Sequence, residues 1–172
     1  ADVIVAFNCD FLGTWISPIE YAKGYAKNRT ITSISGAKMS RHYQVEGHMS
    51  MTGSNADHRI LVKPSEQGAA IATLYNEVAA LTGGTRVSAP ALNDKAAAAL
   101  KTVAKDLAAH KGHSLVMSGS NNKGEQILVN AINNLLGNYG KTISFANASN
   151  QRQGIDKDVR DLIADMNGNR VD

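Results

Sequence analysis

A chain of 172 residues with 43% apolar residues and 5% aromatics is long enough for one domain with a core of its own. Its net charge of +3 comes from 18 basic and 15 acidic residues scattered without a basic block or stripe, which argues against a nucleic-acid partner. One cysteine, Cys9, excludes an internal disulfide and a cysteine-held iron–sulfur centre within this chain, and no apolar run reaches the ~18 residues needed to insert across a membrane.

Asp2 to Phe7 is a nearly continuous apolar run, the pattern of a central parallel strand buried on both faces, and Asn8-Cys9-Asp10 stands at its carboxyl end. Ser17-Pro-Ile-Glu20 has the form of a capping box with proline at the first helical position, and predicts a helix carrying Ile19, Ala22, Tyr25 and Ala26 on its apolar face. Arg41 to Glu46 reads as a second strand, Gly47 to Asp57 as a long loop of small and polar residues, and His58 to Lys63 as a third strand. Pro64-Ser65 then opens a helix with Ile71, Leu74, Val78 and Leu81 on one face, stopped by Gly83-Gly84. After a linker from Arg86 to Leu92, Asn93 or Asp94 caps an alanine-rich helix with Leu100, Val103, Ala104 and Leu107, which ends near Gly112.

The stretch from His113 to Gly140 is the clearest unit. Ser114 to Met117 is a short apolar strand and Ser118 to Lys123 a loop of Ser, Gly and Asn. A helix follows with Ile127, Leu128, Ala131, Ile132, Leu135 and Leu136 at the spacing of one buried face, and Gly137 ends it. Lys141 to Ala146 is predicted as one more strand with Ile143 and Phe145 inward, Asn147 to Gly154 as a polar loop, and Asp156 as the cap of a last helix carrying Val159, Leu162, Ile163 and Met166. This alternation predicts an α/β fold, a doubly wound, mostly parallel sheet with helices on both faces, with residues 1–172 forming a single domain. The chain opens on a strand without an initiating Met or a signal peptide, so it is expected to be a piece of a longer, multidomain subunit.

In such sheets ligands bind beyond the carboxyl ends of the strands. Four loops are therefore candidates for one crevice: Asn8 to Asp10, Glu46 to Asp57, Ser65-Glu66, and Ser118 to Asn122. Glu46 at a strand end is placed to take ribose hydroxyls, and loops of small residues let backbone amides approach phosphates. The competing reading is that Gly, Ser and Asn are what turns are made of. No dinucleotide fingerprint, P-loop or nucleophile elbow is present, and Ser118 and Ser120 have no assignable His–acid pair. Even spacing puts His42, Glu46 and His48 on one side of an extended strand, as a metal site needs, but a surface or edge cluster is the expected outcome. Cys9 reads as a small buried thiol without a basic partner.

Three stretches carry a resemblance: Ala1-Asp-Val-Ile-Val-Ala-Phe-Asn-Cys-Asp-Phe-Leu-Gly-Thr-Trp-Ile-Ser-Pro-Ile-Glu-Tyr21, Met49-Ser-Met-Thr-Gly-Ser-Asn-Ala-Asp57, and Asn130-Ala-Ile-Asn-Asn-Leu-Leu-Gly-Asn138. The chain resembles the molybdopterin oxidoreductase family over nearly its whole length, most closely the large iron–sulfur subunits of alternative complex III, the bacterial quinol:electron-acceptor oxidoreductases. The resemblance implies one internal α/β domain of that subunit. In cofactor-bearing relatives this domain holds part of a molybdopterin guanine dinucleotide through its strand-end loops. By motif match the equivalents here are Asn8, Cys9, Asp10, Glu46, Thr52, Asn55, Asp57, Ser65, Glu66, Ser118, Gly119, Ser120 and Asn121. Gly47-His48 stands where relatives often have Pro-Arg, and the later glycine-rich loop is reduced to Ser118-Gly-Ser120. These departures agree with the family expectation that complex III subunits keep the fold without the molybdenum cofactor. The resemblance further implies iron–sulfur clusters elsewhere in the parent protein, cytochrome and membrane subunits as partners, and a place on the periplasmic side of a bacterial inner membrane. The domain itself is expected to catalyse nothing.

Overall fold

The computed structural model describes residues 1–146, 148 and 155–171. Among these residues four strands form one sheet: β1 (Val3–Phe7), β2 (Arg41–Glu46), β3 (His58–Leu61) and β4 (Ser114–Ser118). All pairs are parallel, in the order β3-β2-β1-β4. The chain thus steps outward from β1 to β3 and returns to the other side of β1 for β4. The β1/β4 junction is the point where the winding reverses, the position at which doubly wound α/β sheets open a crevice.

The described residues form six α-helices: α1 (Pro18–Lys27), α2 (Met51–Ser54), α3 (Gln67–Thr82), α4 (Asp94–Ala109), α5 (Lys123–Leu135) and α6 (Asp156–Asn167), with a 3-10 turn, Pro64–Glu66, leading into α3. Strand parity divides the side chains between two layers. Val3, Val5, Phe7, Val45 and Ile60 point to one face, where Ile71, Leu74, Val78, Leu100, Leu107, Ile132 and Leu136 cover them from α3, α4 and α5 and the residue just after it. Ile4, Ala6 and Met117 point to the other face, where they meet Phe11, Trp15 and two tyrosines of α1, Tyr21 and Tyr25. The result is a Rossmann-like, doubly wound α/β arrangement with helices on both faces.

Several elements differ in detail from their prediction. The α1 capping box does not form, since Ser17 makes no side-chain cap, and Ile19 is 88% exposed. Of the predicted face Tyr25 does meet the sheet side, joined by Tyr21, while Ala26 is exposed. The Gly47–Asp57 stretch contains α2, whose N-cap Ser50 accepts from Gly53 N. Leu81 is half exposed at the end of α3. On α5, Ile132 and Leu136 of the predicted face are buried and Leu128 and Leu135 pack against the same core, Val129 and Asn133 join them, and only Ile127 at the edge of that face is largely exposed.

The burial of Asn133 has a polar cause. Asn133 Oδ1 accepts from Val116 N at 3.1 Å and Asn133 Nδ2 donates to Val116 O at 2.7 Å, so one side chain occupies the outward backbone groups of β4 as a neighbouring strand would. Thr142 Oγ1 donates to Ser114 O at 2.6 Å and Gln126 Nε2 donates to Ser118 O at 3.1 Å along the same edge. The predicted strand at Lys141 to Ala146 is consequently a series of turns with a single bridge, Tyr139 to Ile143, and Phe145 is exposed rather than inward. Side chains have taken the hydrogen bonds that a fifth strand needs. The predicted loop at 147–154 lies, Ala148 apart, outside the described residues.

Candidate functional site

The strand-end loops meet above the carboxyl edge of the sheet. β1 leaves through Asn8 at φ 44°, a left-handed conformation that asparagine tolerates better than most residues. Asn8 N donates to Val45 O at 2.8 Å, and on the other side Gly119 N donates to Phe7 O at 3.0 Å. Gly119 lies so near Asn8 that a Cβ there would overlap the Asn8 carbonyl oxygen. The loops after β1 and β4 are therefore in contact at the switch point.

Asp10 ties the first loop to α2. Its Oδ1 accepts from Thr52 N at 3.0 Å and Thr52 Oγ1 at 2.8 Å, and its Oδ2 from Thr14 Oγ1 at 3.3 Å. Leu12 N closes the tie by donating to Thr52 Oγ1 at 2.9 Å. Burial pushes the Asp10 carboxyl up, but the Thr52 and Thr14 hydrogen bonds outweigh it and hold the group below the usual carboxylate range.

Glu46 at the end of β2 is buried and accepts from four groups. Arg59 Nε donates at 2.7 Å, Ser50 Oγ at 2.7 Å, Ser50 N at 3.2 Å and Gln44 Nε2 at 3.2 Å. Burial raises its proton affinity, and the donors from Arg59, Ser50 and Gln44 reverse the sign, leaving the carboxyl ionised. A Cβ on Gly53 would overlap Glu46 Oε1, so α2 presses on this carboxylate from above. Ribose hydroxyls would have to displace one of these partners.

A ladder continues down β2. Gln44 Oε1 lies 3.1 Å from His42 Nε2, and Tyr25 Oη lies 3.2 Å from His42 Nδ1. Gln44 Nε2 faces Glu46 and the Cys9 carbonyl, so Gln44 Oε1 is the acceptor toward His42 and the ring carries its proton on Nε2. His42 and Glu46 thus lie buried on an inner strand with Gln44 between them, not in an edge cluster, while His48 is exposed. No group of three potential metal ligands occurs among the described residues.

Below the ladder, Asp57 accepts from both terminal nitrogens of Arg29 at 2.7 Å and from His42 N at 2.7 Å, and Arg29 stacks over the Tyr25 ring. Asp57 is held below the usual range by Arg29 first. Asn55 ends α2, its amide donating to Met51 O and its carbonyl accepting from Tyr25 Oη at 3.0 Å. Thus Asn55 and Asp57 fasten the α2 loop to α1.

On the other side of the switch point, Ser118 Oγ accepts from Ser120 N at 3.2 Å and from Gln67 Nε2 at 3.5 Å, while Gln67 also donates to Glu125 at 3.0 Å. Gln126 Nε2 donates to Ser120 O at 2.6 Å. Asn122 caps α5 through Gly124 N and Glu125 N, so these first-turn amides already have an acceptor. Asn121 is exposed. Ser65 is exposed on the 3-10 turn, and Glu66 accepts from Lys63 N to close it. Cys9 is buried, and burial followed by the neighbouring Asp10 charge drives its thiol proton affinity up, which removes it as a nucleophile.

The fold therefore brings Asp10 to Thr52, Glu46 to the α2 loop, and Gly119 to Asn8, and leaves Ser65, Glu66 and Asn121 outside these contacts. The donors that hold the acids, Arg29, Gln44, Arg59 and Gln67, and Gln126, which holds the Ser118 and Ser120 carbonyls, are invisible as site residues in the sequence. Only Gln44, a polar residue on a strand that is otherwise buried, hints at a ladder. No family model matches the chain, and no curated protein matches it.

The ladder has a pH signature. Burial, opposed by the Gln44 hydrogen bond, lowers the His42 pKa from 6.5 to about 4. Between those values an unfolded His42 binds a proton and the folded one does not, so acidification favours unfolding. Stability is expected to fall as the pH drops from 6.5 toward 4, before the depressed carboxylates Asp10, Glu46 and Asp57 withdraw their share at lower pH. Urea titrations at stepped pH check this, and His42→Gln should flatten the upper part of the profile. An unchanged slope in that variant would contradict the assignment.

Proposed function

We propose that this chain is a non-catalytic structural domain of the iron–sulfur subunit of a respiratory quinol:electron-acceptor oxidoreductase, molybdopterin-oxidoreductase-like in architecture, with a vestigial cofactor crevice. The observation that carries this reading is that the polar groups of the strand-end loops are engaged with one another. A guanosine arm of molybdopterin guanine dinucleotide calls for an acidic residue free to take ribose hydroxyls and a gap beside the later loop for the pyrophosphate. Glu46 already accepts from Arg59, Ser50 and Gln44. The two loops that would flank a pyrophosphate touch at Gly119 and Asn8. The α5 amides that would face an anion are capped by Asn122. Residues placed in this way do not fit that arm.

On this reading the loops brace the sheet, and the sheet is a rigid platform for the rest of the subunit. The parent protein carries the iron–sulfur clusters and passes electrons from quinol. Its other domains and the cytochrome and membrane subunits are the partners, on the periplasmic side of a bacterial inner membrane. These statements rest on the resemblance in the Ala1 to Tyr21, Met49 to Asp57 and Asn130 to Asn138 stretches.

Calorimetric titration with GDP and with GMP tests the proposal. No binding heat is expected up to millimolar ligand. A one-site dissociation constant tighter than ~1 mM, about −4.1 kcal/mol, would overturn the vestigial crevice in favour of a working molybdopterin guanine dinucleotide domain.

A further inference from the structure

The two faces of the sheet are covered unequally. Three helices bury one face, whereas on the other α1 buries none of its own residues. Between α1 and the turns at 142–144, Ile4, Leu115 and Met117 form the floor of a cleft of about 630 Å³ whose wall includes Trp15 and Tyr21. The cleft follows β1 and β4 from Phe11 at their carboxyl ends to Ser40 at their amino ends, a length of ~17 Å for five-residue strands. At its far end the Ser40 hydroxyl is the one buried side-chain polar atom without a hydrogen-bond partner among the described residues.

Helix α6 presents the converse problem. Val159, Leu162, Ile163 and Met166 form a stripe at i, i+3, i+4 and i+7, and each is at least half exposed. A helix shorter than ~12–15 residues is marginal in water without tertiary packing, and α6 has 12 residues.

We propose that α6 of this same chain seats in the cleft, with its apolar stripe against β1 and β4, and completes the second helical layer. Its ~18 Å length matches the cleft. The chain leading to it already lies on the wall, through Thr142, Ile143, Ser144 and Ala148. The seven residues from Ala148 to Ile155 reach up to ~23 Å, enough to place either end of α6 over the strands.

Trp15, the single tryptophan, reports on the cleft directly. In the full 172-residue chain the double variant Leu162→Asp/Ile163→Asp is expected to shift Trp15 emission to the red and to increase its quenching by iodide. Asp161→Asn, which lies off the apolar stripe, should change neither. Because the main core lies on the opposite face, the double variant is expected to keep a cooperative urea transition. A cysteine pair replacing Leu115 and Leu162, in a Cys9→Ala background, should close under mild oxidation within one chain. Closure between chains would assign the cleft to a second copy. That result, no closure, or Trp15 emission indifferent to the double variant would each overturn the proposal.

Discussion

Glu46→Ala is expected to destabilise the domain by about 3–5 kcal/mol, the range for breaking a buried ion pair by removing one partner. The carboxylate is fully buried and is the common acceptor for Arg59, Ser50 and Gln44. Its loss leaves the guanidinium without its anion, frees the start of α2, and opens a hole under Gly53. The Arg59 side chain keeps 30% of its exposure, so water recovers part of the cost and the lower end of the range is the better expectation. Urea denaturation should show a lower midpoint with an unchanged slope. The result also separates two roles for this residue. A glutamate kept for ribose hydroxyls would be exposed in the free protein, and its replacement would cost ligand affinity with little change in stability. A variant within about 0.5 kcal/mol of the parent, the range of ordinary surface changes, would contradict the bracing role.

Asn133→Ala is the second large effect, at about 3 kcal/mol, because it strands several buried partners at ~1–3 kcal/mol each. Asn133 is buried and serves Val116 N, Val116 O and Val129 O, and it also accepts from Asn138 Nδ2 at 2.9 Å. Asn133→Leu should be no better, since matching volume does not replace the bonds. Both variants uncover the β4 edge, which exposes unpaired strand groups to a second chain. Concentration-dependent association by light scattering, absent from the parent under the same conditions, is the accompanying expectation. A variant that is both stable and monomeric would show that water satisfies this edge adequately.

These two residues also mark where sequence reasoning stops. β1, β2 and β4 were legible within a residue because an apolar run or an alternating pattern is set by which side chains must leave water. The face of α4, with Leu100, Val103, Ala104 and Leu107, was legible for the same reason, and all four are buried. The face of α5 was legible in large part, since Ile132 and Leu136 are buried and Leu128 and Leu135 pack against the same core. Apolarity also pointed to Ile127, which is exposed, and missed Asn133, whose burial satisfies a strand edge, a demand that comes from β4, outside the helix. The predicted strand at 141–146 failed by the same mechanism: its own residues suit a strand, and the edge it would pair with was already occupied.

The candidate site divides in the same way. Position at a strand end is a local property, so Asp10, Glu46, Thr52, Asp57 and Ser118 could be singled out from the sequence. Whether those groups are free is not local. Glu46 meets Arg59 only because β2 and β3 are neighbours, and Gly119 meets Asn8 only because β4 lies beside β1. The sequence by itself determined the α/β alternation, the doubly wound sheet and the residues of the strand-end loops, since hydrophobic period and turn chemistry act over a few residues. Tertiary structure alone decided which polar groups saturate one another, because a hydrogen bond depends on distance and direction in space, and residues far apart in the chain are brought to 3 Å only by the packing of the whole sheet.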